Sequence, residues 1–132
     1  MKSLKPSERK LLHRKYNGRC AYCGCKIDAD KFHVDHIKPL QRQYNKITAE
    51  KHNVEKGENN INNYNPSCIV CNSSKNSLSL EEWRNHLEEM AIRLNKYDST
   101  FRLMVKYKVV KVKKYSIKFY FEKIKNNKEA KK

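Results

Sequence analysis

The sequence has no apolar run long enough to cross a bilayer. Its first ten residues, Met1 to Lys10, are polar and basic, where a secretory leader needs an apolar stretch. Neither membrane insertion nor export is expected, and a reducing cytoplasm is. Acid is also scarce: 14 Asp and Glu face 30 Lys and Arg, for a net charge of +16. Apolar residues make up only 38% of the chain, and charged ones 33%. No internal repeat is present. A chain of 132 residues is one domain's worth, with a modest core that a bound metal would help to fold.

The excess charge is unevenly placed. Arg102 to Lys132 holds 12 Lys and Arg against 2 Asp and Glu. Such a field attracts polyanions, of which nucleic acid is the commonest. The cysteine count is 5, and an odd number fits poorly with a disulfide framework. Four of the five fall into two C-x-x-C pairs, Cys20 with Cys23 and Cys68 with Cys71, separated by 44 residues. Two such pairs closing on one ion make a tetrahedral four-thiolate zinc site. A site of that kind is structural, because no coordination position is left for substrate. The alternatives are four ordinary thiols or a redox pair, and no strand-to-helix βαβ context favours the latter. Cys25 is left over and reads as an inert thiol.

Coarse periodicity organises the rest. Pro6 to Tyr16 reads as a short helix stopped by Asn17-Gly18. Lys26 to Ile37 carries Ile27, Phe32, Val34 and Ile37, and reads as two short strands turning at Asp28 and Asp30. Gln41 to Asn62 lacks an apolar period and reads as a loop with at most one helical turn. Leu80 to Lys96 is the clearest helix, with Trp83, Leu87, Met90, Ala91 and Leu94 at helical spacing. Asp98 to Lys108 fits helix and strand equally. Tyr115 to Glu122 alternates like a half-buried strand, with Val109 to Val112 as a hairpin partner. Lys123 to Lys132 is polar and expected to fray.

Four motifs occur in a fixed order: Cys20-Ala21-Tyr22-Cys23-Gly24, then Val34-Asp35-His36-Ile37-Lys38-Pro39, then Asn63, then Cys68-Ile69-Val70-Cys71-Asn72-x-x-Lys75. Together they resemble the HNH endonucleases, over roughly residues 15 to 96. The resemblance implies an α+β fold, with a small ββα-metal core braced by zinc at Cys20, Cys23, Cys68 and Cys71. Flanking helices and a basic C-terminal β/helical extension would complete it. The expected organisation is a nuclease domain over 1–97 and an extension over 98–132 that packs on the core. His36 matches the family's general base, a role suited to a side chain that titrates near neutrality. Asp35 matches the metal-ligand carboxylate. Asn63 matches the middle Asn, which positions the base and its loop, and Asn72 takes the last place, where many members carry His. Asn63 and Asn72 are expected at a hairpin end and a helix start, facing one groove. Lys75 matches a family lysine and is a candidate phosphate contact.

A neutral amide oxygen at Asn72 is a hard, weak ligand, so Mg²⁺ or Mn²⁺ is the expected catalytic cation, distinct from the zinc. In a regular strand Asp35 and His36 would point to opposite faces, so both serve one site only at a strand's end or an irregularity. The activity implied is hydrolysis of double-stranded DNA to 5′-phosphate and 3′-hydroxyl ends, in a bacterial or phage-encoded cytoplasmic setting. The competing reading is a zinc-ribbon protein that grips DNA or RNA without cutting it.

Overall fold

The computed structural model describes residues 3–130. It divides into two compact units, one formed by residues up to 80 together with the stretch from 118, the other by residues 81–117. The first unit holds the site. It opens with helix α1 (Pro6–Lys15), which has Pro6 in its first turn and stops where Asn17 and Gly18 take positive φ (57° and 72°). One face of α1 buries Leu12 against Phe32 and Tyr64, and Leu4, Ile27, Val34 and Ile61 pack around them.

The sheet is two antiparallel strands, β1 (His33–His36) and β2 (Tyr64–Ser67), with His33 opposite Ser67 and His36 opposite Tyr64. Only one of the two strands expected between Lys26 and Ile37 forms. Lys26 makes just an isolated bridge to Arg19, and the chain turns at Asp28, whose carboxylate accepts the Asp30 amide. The partner of β1 comes instead from the far side of the long loop. Between the strands lies a helix α2 (Lys46–Lys51), longer than the single turn expected and capped by Asn45, which accepts from the Thr48 amide. After β2, Cys68 caps helix α3 (Ile69–Lys75). The order β1, β2, α3 is the ββα arrangement, and all four β2 residues are buried.

The stretch from Val109 to Glu122 corrects two expectations. Tyr115 to Glu122 is not a strand, and Val109 to Val112 forms no hairpin with it. The chain is irregular up to Phe119, and helix α6 (Tyr120–Ala130) follows. The reason is local. The amides of Tyr120 and Phe121 donate to the carbonyls of Tyr22 and Ala21, and the rings of Phe119 and Phe121 meet the Tyr22 ring edge-on. Aromatic spacing that reads as an alternating strand serves to lock the first turn of a helix onto the cysteine knuckle. Residues 131–132 lie outside the described chain.

The second unit consists of most of α4 (Leu80–Tyr97), of α5 (Ser99–Lys106) and of an irregular segment up to Ile117. Asp98 caps α5 by accepting from the Phe101 amide, which settles the ambiguous stretch as helix. Ile117 is tied to α4 by its amide on Glu88 Oε1 (2.8 Å) and its carbonyl on the Arg84 guanidinium (2.6 Å). No helix among the described residues is long and apolar enough to cross a membrane.

Candidate active site and cysteine cluster

The cysteines come first, because they fix the ends of the hairpin. Cys20 and Cys23 sit on a tight knuckle closed by the Gly24 amide on the Cys20 carbonyl, with Gly24 at φ 79°. An added Cβ there would also meet the Tyr120 ring at 3.0 Å. The Ala21 amide donates to the Pro66 carbonyl, stitching the knuckle to β2 just before Cys68. The ligand atoms of Cys20, Cys23, Cys68 and Cys71 all lie within 4.8 Å of one another, and Cys23 Sγ is 3.9 Å from Cys68 Sγ. Zinc bonded to four sulfurs at about 2.3 Å spaces them about 3.8 Å apart, so the cluster fits that ion. Cys20 is fully buried and its pKa is lowered to about 4, chiefly by the hydrogen bond from Cys71, whose own thiol is correspondingly pushed up. A thiolate is the form a metal needs. Cys25 stands outside the four and is exposed.

The strand β1 then separates its two last residues, as alternation requires. Asp35 turns inward and is 4% exposed. Its carboxylate accepts from the Tyr22 hydroxyl and from Lys75 Nζ, at 3.1 Å on Oδ2 and 3.3 Å on Oδ1. Burial raises the Asp35 pKa, and Lys75 and Tyr22 pull it back. Burial, then the neighbouring carboxylate, pushes the Tyr22 phenol upward. Beneath this pair the fully buried Asn65 accepts from Lys15 Nζ (3.1 Å) and the Tyr16 hydroxyl (3.3 Å), and donates to the Tyr22 oxygen (3.4 Å). Lys75 therefore does not reach a phosphate as the motif suggested. It is wholly buried at the C-terminal end of α3, with its ammonium on Asp35 and on the His36 carbonyl at 2.8 Å.

His36 is the last residue of β1 and is half-buried, its ring edge-on to Tyr64 at 5.1 Å. Its Nε2 lies 2.9 Å from Asn59 Oδ1. With an amide oxygen opposite, Nε2 carries the hydrogen and Nδ1 the lone pair. Asn59 thus touches the ring that Asn63 was expected to position. Asn63 acts two residues further on: its carboxamide accepts from the Lys38 amide (2.9 Å) and donates to the carbonyls of Lys38 and Glu58 (3.0 Å each). Its carbonyl accepts from the Ile37 amide (2.8 Å). Gly57 presses against the same loop, where a Cβ would sit 1.8 Å from the Lys38 carbonyl oxygen. Only a residue without one fits that approach. Nothing in sequence spacing marks Asn59; Tyr22 lies inside the first cysteine motif and Asn60, Asn62 and Asn65 compete with Asn63 for the middle position, but spacing does not reveal the buried roles of Tyr22 and Asn65. The signal available was their polarity beside buried positions.

Asp35, His36 and Asn72 line one cavity of about 410 Å³, together with Gln41, Arg42 and Asn76. Asn63 does not face it. It lines a separate cavity beside Lys38 and Lys56, so the single groove expected for both asparagines is not found. Asn72 enters on the first turns of α3, one residue after Cys71, so the cysteine cluster sets its place. One carboxylate and one carboxamide on one cavity are donors of the kind a hard divalent cation takes, and such an ion would have to draw the Lys75 ammonium aside from Asp35.

Residues 20–78 match the family model for HNH endonuclease. This segment belongs to the HNH endonuclease family. The chain is also similar to YoqL, an SPbeta prophage-derived protein of Bacillus subtilis (strain 168) whose name carries the same family. The two are 39% identical over 71 residues, or 53% of this chain and 28% of the relative. The chain thus matches little more than a quarter of that protein's length. A crystal structure of the Type II-C Cas9 enzyme from Actinomyces naeslundii aligns over 80% of this chain and 11% of its own, with TM-score 0.48 and 17% identity.

Proposed function

We propose that this chain is a metal-dependent endonuclease that hydrolyses phosphodiester bonds of double-stranded DNA. The observation that carries the reading is the shared cavity: a histidine with a free ring nitrogen, a carboxylate and a carboxamide on one concave surface. Membership of the HNH segment in a nuclease family supports it. The net charge of +16 supports a polyanionic substrate.

In this reading Nδ1 of His36 takes a proton from a water molecule, whose oxygen forms a bond to phosphorus. The bond from phosphorus to the 3′ oxygen breaks, leaving a 5′-phosphate, and the 3′ oxygen is protonated from solvent. Asn59 holds the ring in the tautomer that leaves Nδ1 free. Asn63 holds the turn that follows His36. Asp35 and Asn72 would hold Mg²⁺ or Mn²⁺, which supplies positive charge for the departing oxygen. Cys20, Cys23, Cys68 and Cys71 would hold zinc and do no chemistry.

One observation favours the rival, a zinc-braced protein that binds DNA or RNA without cutting: both Asp35 oxygens already have protein partners. Nicking of supercoiled plasmid with Mg²⁺ or Mn²⁺, by wild type and by His36→Ala, separates the two. The nuclease reading requires cutting that the variant loses while still binding DNA. Binding without cutting by wild type, with every divalent ion tried, leaves the rival standing.

A further inference from the structure

With Lys75 buried, the motif leaves no cation to hold the phosphate being cut. The cavity supplies one. Among the described residues lining it, Arg42 carries the one permanent positive charge. Its guanidinium is exposed, and among the described residues it has no hydrogen-bond or ion-pair partner. An idle arginine on a surface is ordinary. This one sits on a backbone built to hold it still. The half-buried Lys56 places its ammonium on the carbonyls of both Gln41 (3.0 Å) and Tyr44, the residues flanking Arg42-Gln43. The Gly57 amide grips the Pro39 carbonyl at 2.8 Å on the N-terminal side, and Asn45 caps α2 on the other. Gln41 is held at φ 51°, a left-handed conformation that a side chain other than glycine adopts at a cost. A segment fixed at three points and strained at a fourth carries Arg42 along the lining of the cavity that holds His36 and Asp35.

We infer that Arg42 binds the non-bridging oxygens of the scissile phosphate, the task the sequence motif assigns to Lys75. This rests on the nuclease reading above. The planar fork of a guanidinium matches two phosphate oxygens at once, where an ammonium offers a point charge. Placed there, it holds the phosphorus in front of the water that faces Nδ1 of His36, and it offsets negative charge that grows as the new bond forms.

The test uses the full chain, loaded with zinc, on two substrates: supercoiled plasmid and bis(p-nitrophenyl) phosphate, a small diester with no neighbouring phosphates. Arg42→Ala should fold and bind zinc as wild type does, and should slow cutting of both substrates by roughly 100-fold under single-turnover conditions. Arg42→Lys should recover only part of that rate. Wild-type rates for Arg42→Ala on both substrates would overturn the assignment and leave the nuclease reading intact. Slower plasmid cutting with an unchanged rate on the small diester would also overturn it, because Arg42 would then grip a neighbouring phosphate. If wild type cuts neither substrate, the nuclease reading falls and this one with it.

Discussion

The cysteine cluster and the cavity of Asp35 lie within one small unit and share helix α3, yet they are built in opposite ways. The cluster is uniform: four sulfurs, all within 4.8 Å of one another. The cavity is mixed: a histidine, a buried carboxylate, a carboxamide and a free guanidinium. A uniform, closed donor set contributes stability, whereas a mixed, open one is suited to chemistry. The sequence joins them by one peptide bond, Cys71 to Asn72, so bracing at the first fixes geometry at the second.

Breaking the cluster should have the largest effect. Structural zinc contributes about 10–16 kcal/mol in small zinc-dependent folds, so Cys68→Ser, or a strong chelator, should abolish cooperative unfolding seen by circular dichroism. Retained cooperative folding without metal would erase the contrast. Next comes Lys75→Met, which leaves Asp35 buried without its cation and should cost about 3–5 kcal/mol in denaturant melts. An exposed, phosphate-seeking lysine would cost almost nothing. Asn63→Ala removes three hydrogen bonds around Lys38 and should cost about 1–3 kcal/mol, with a smaller loss of cutting. The smallest effect on stability belongs to His36→Ala, whose melting should stay near wild type. Its cutting should fall by about 10²–10⁴-fold, the usual worth of a positioned base.

Much of this plan was legible in the residues. Paired cysteines mark a candidate metal site through spacing alone, and the order of Asp35, His36, Asn63, Cys68 and Asn72 carries the family resemblance. What could not be read was which side of the fold each polar group would face. Lys75 looks like a phosphate contact because lysine is usually solvated, and only the fold reveals a carboxylate buried under α3 that needs it. Strand β2 was missed because Pro66 and Asn65 are poor strand formers. They are tolerated because Asn65 is satisfied by Lys15, Tyr16 and Tyr22. The strand misread at Tyr115 to Glu122 failed for a similar reason. Two of its aromatics, Phe119 and Phe121, pack instead on the Tyr22 ring, while Tyr115 is exposed.

The most direct measurement is anomalous diffraction, at the zinc and manganese edges, from one crystal grown with both ions. The account predicts a zinc peak amid the four sulfurs and a separate manganese peak touching Asp35 and Asn72, with the Lys75 ammonium drawn aside. Manganese absent from that cavity at saturating concentration, with Lys75 still seated on Asp35, would contradict it.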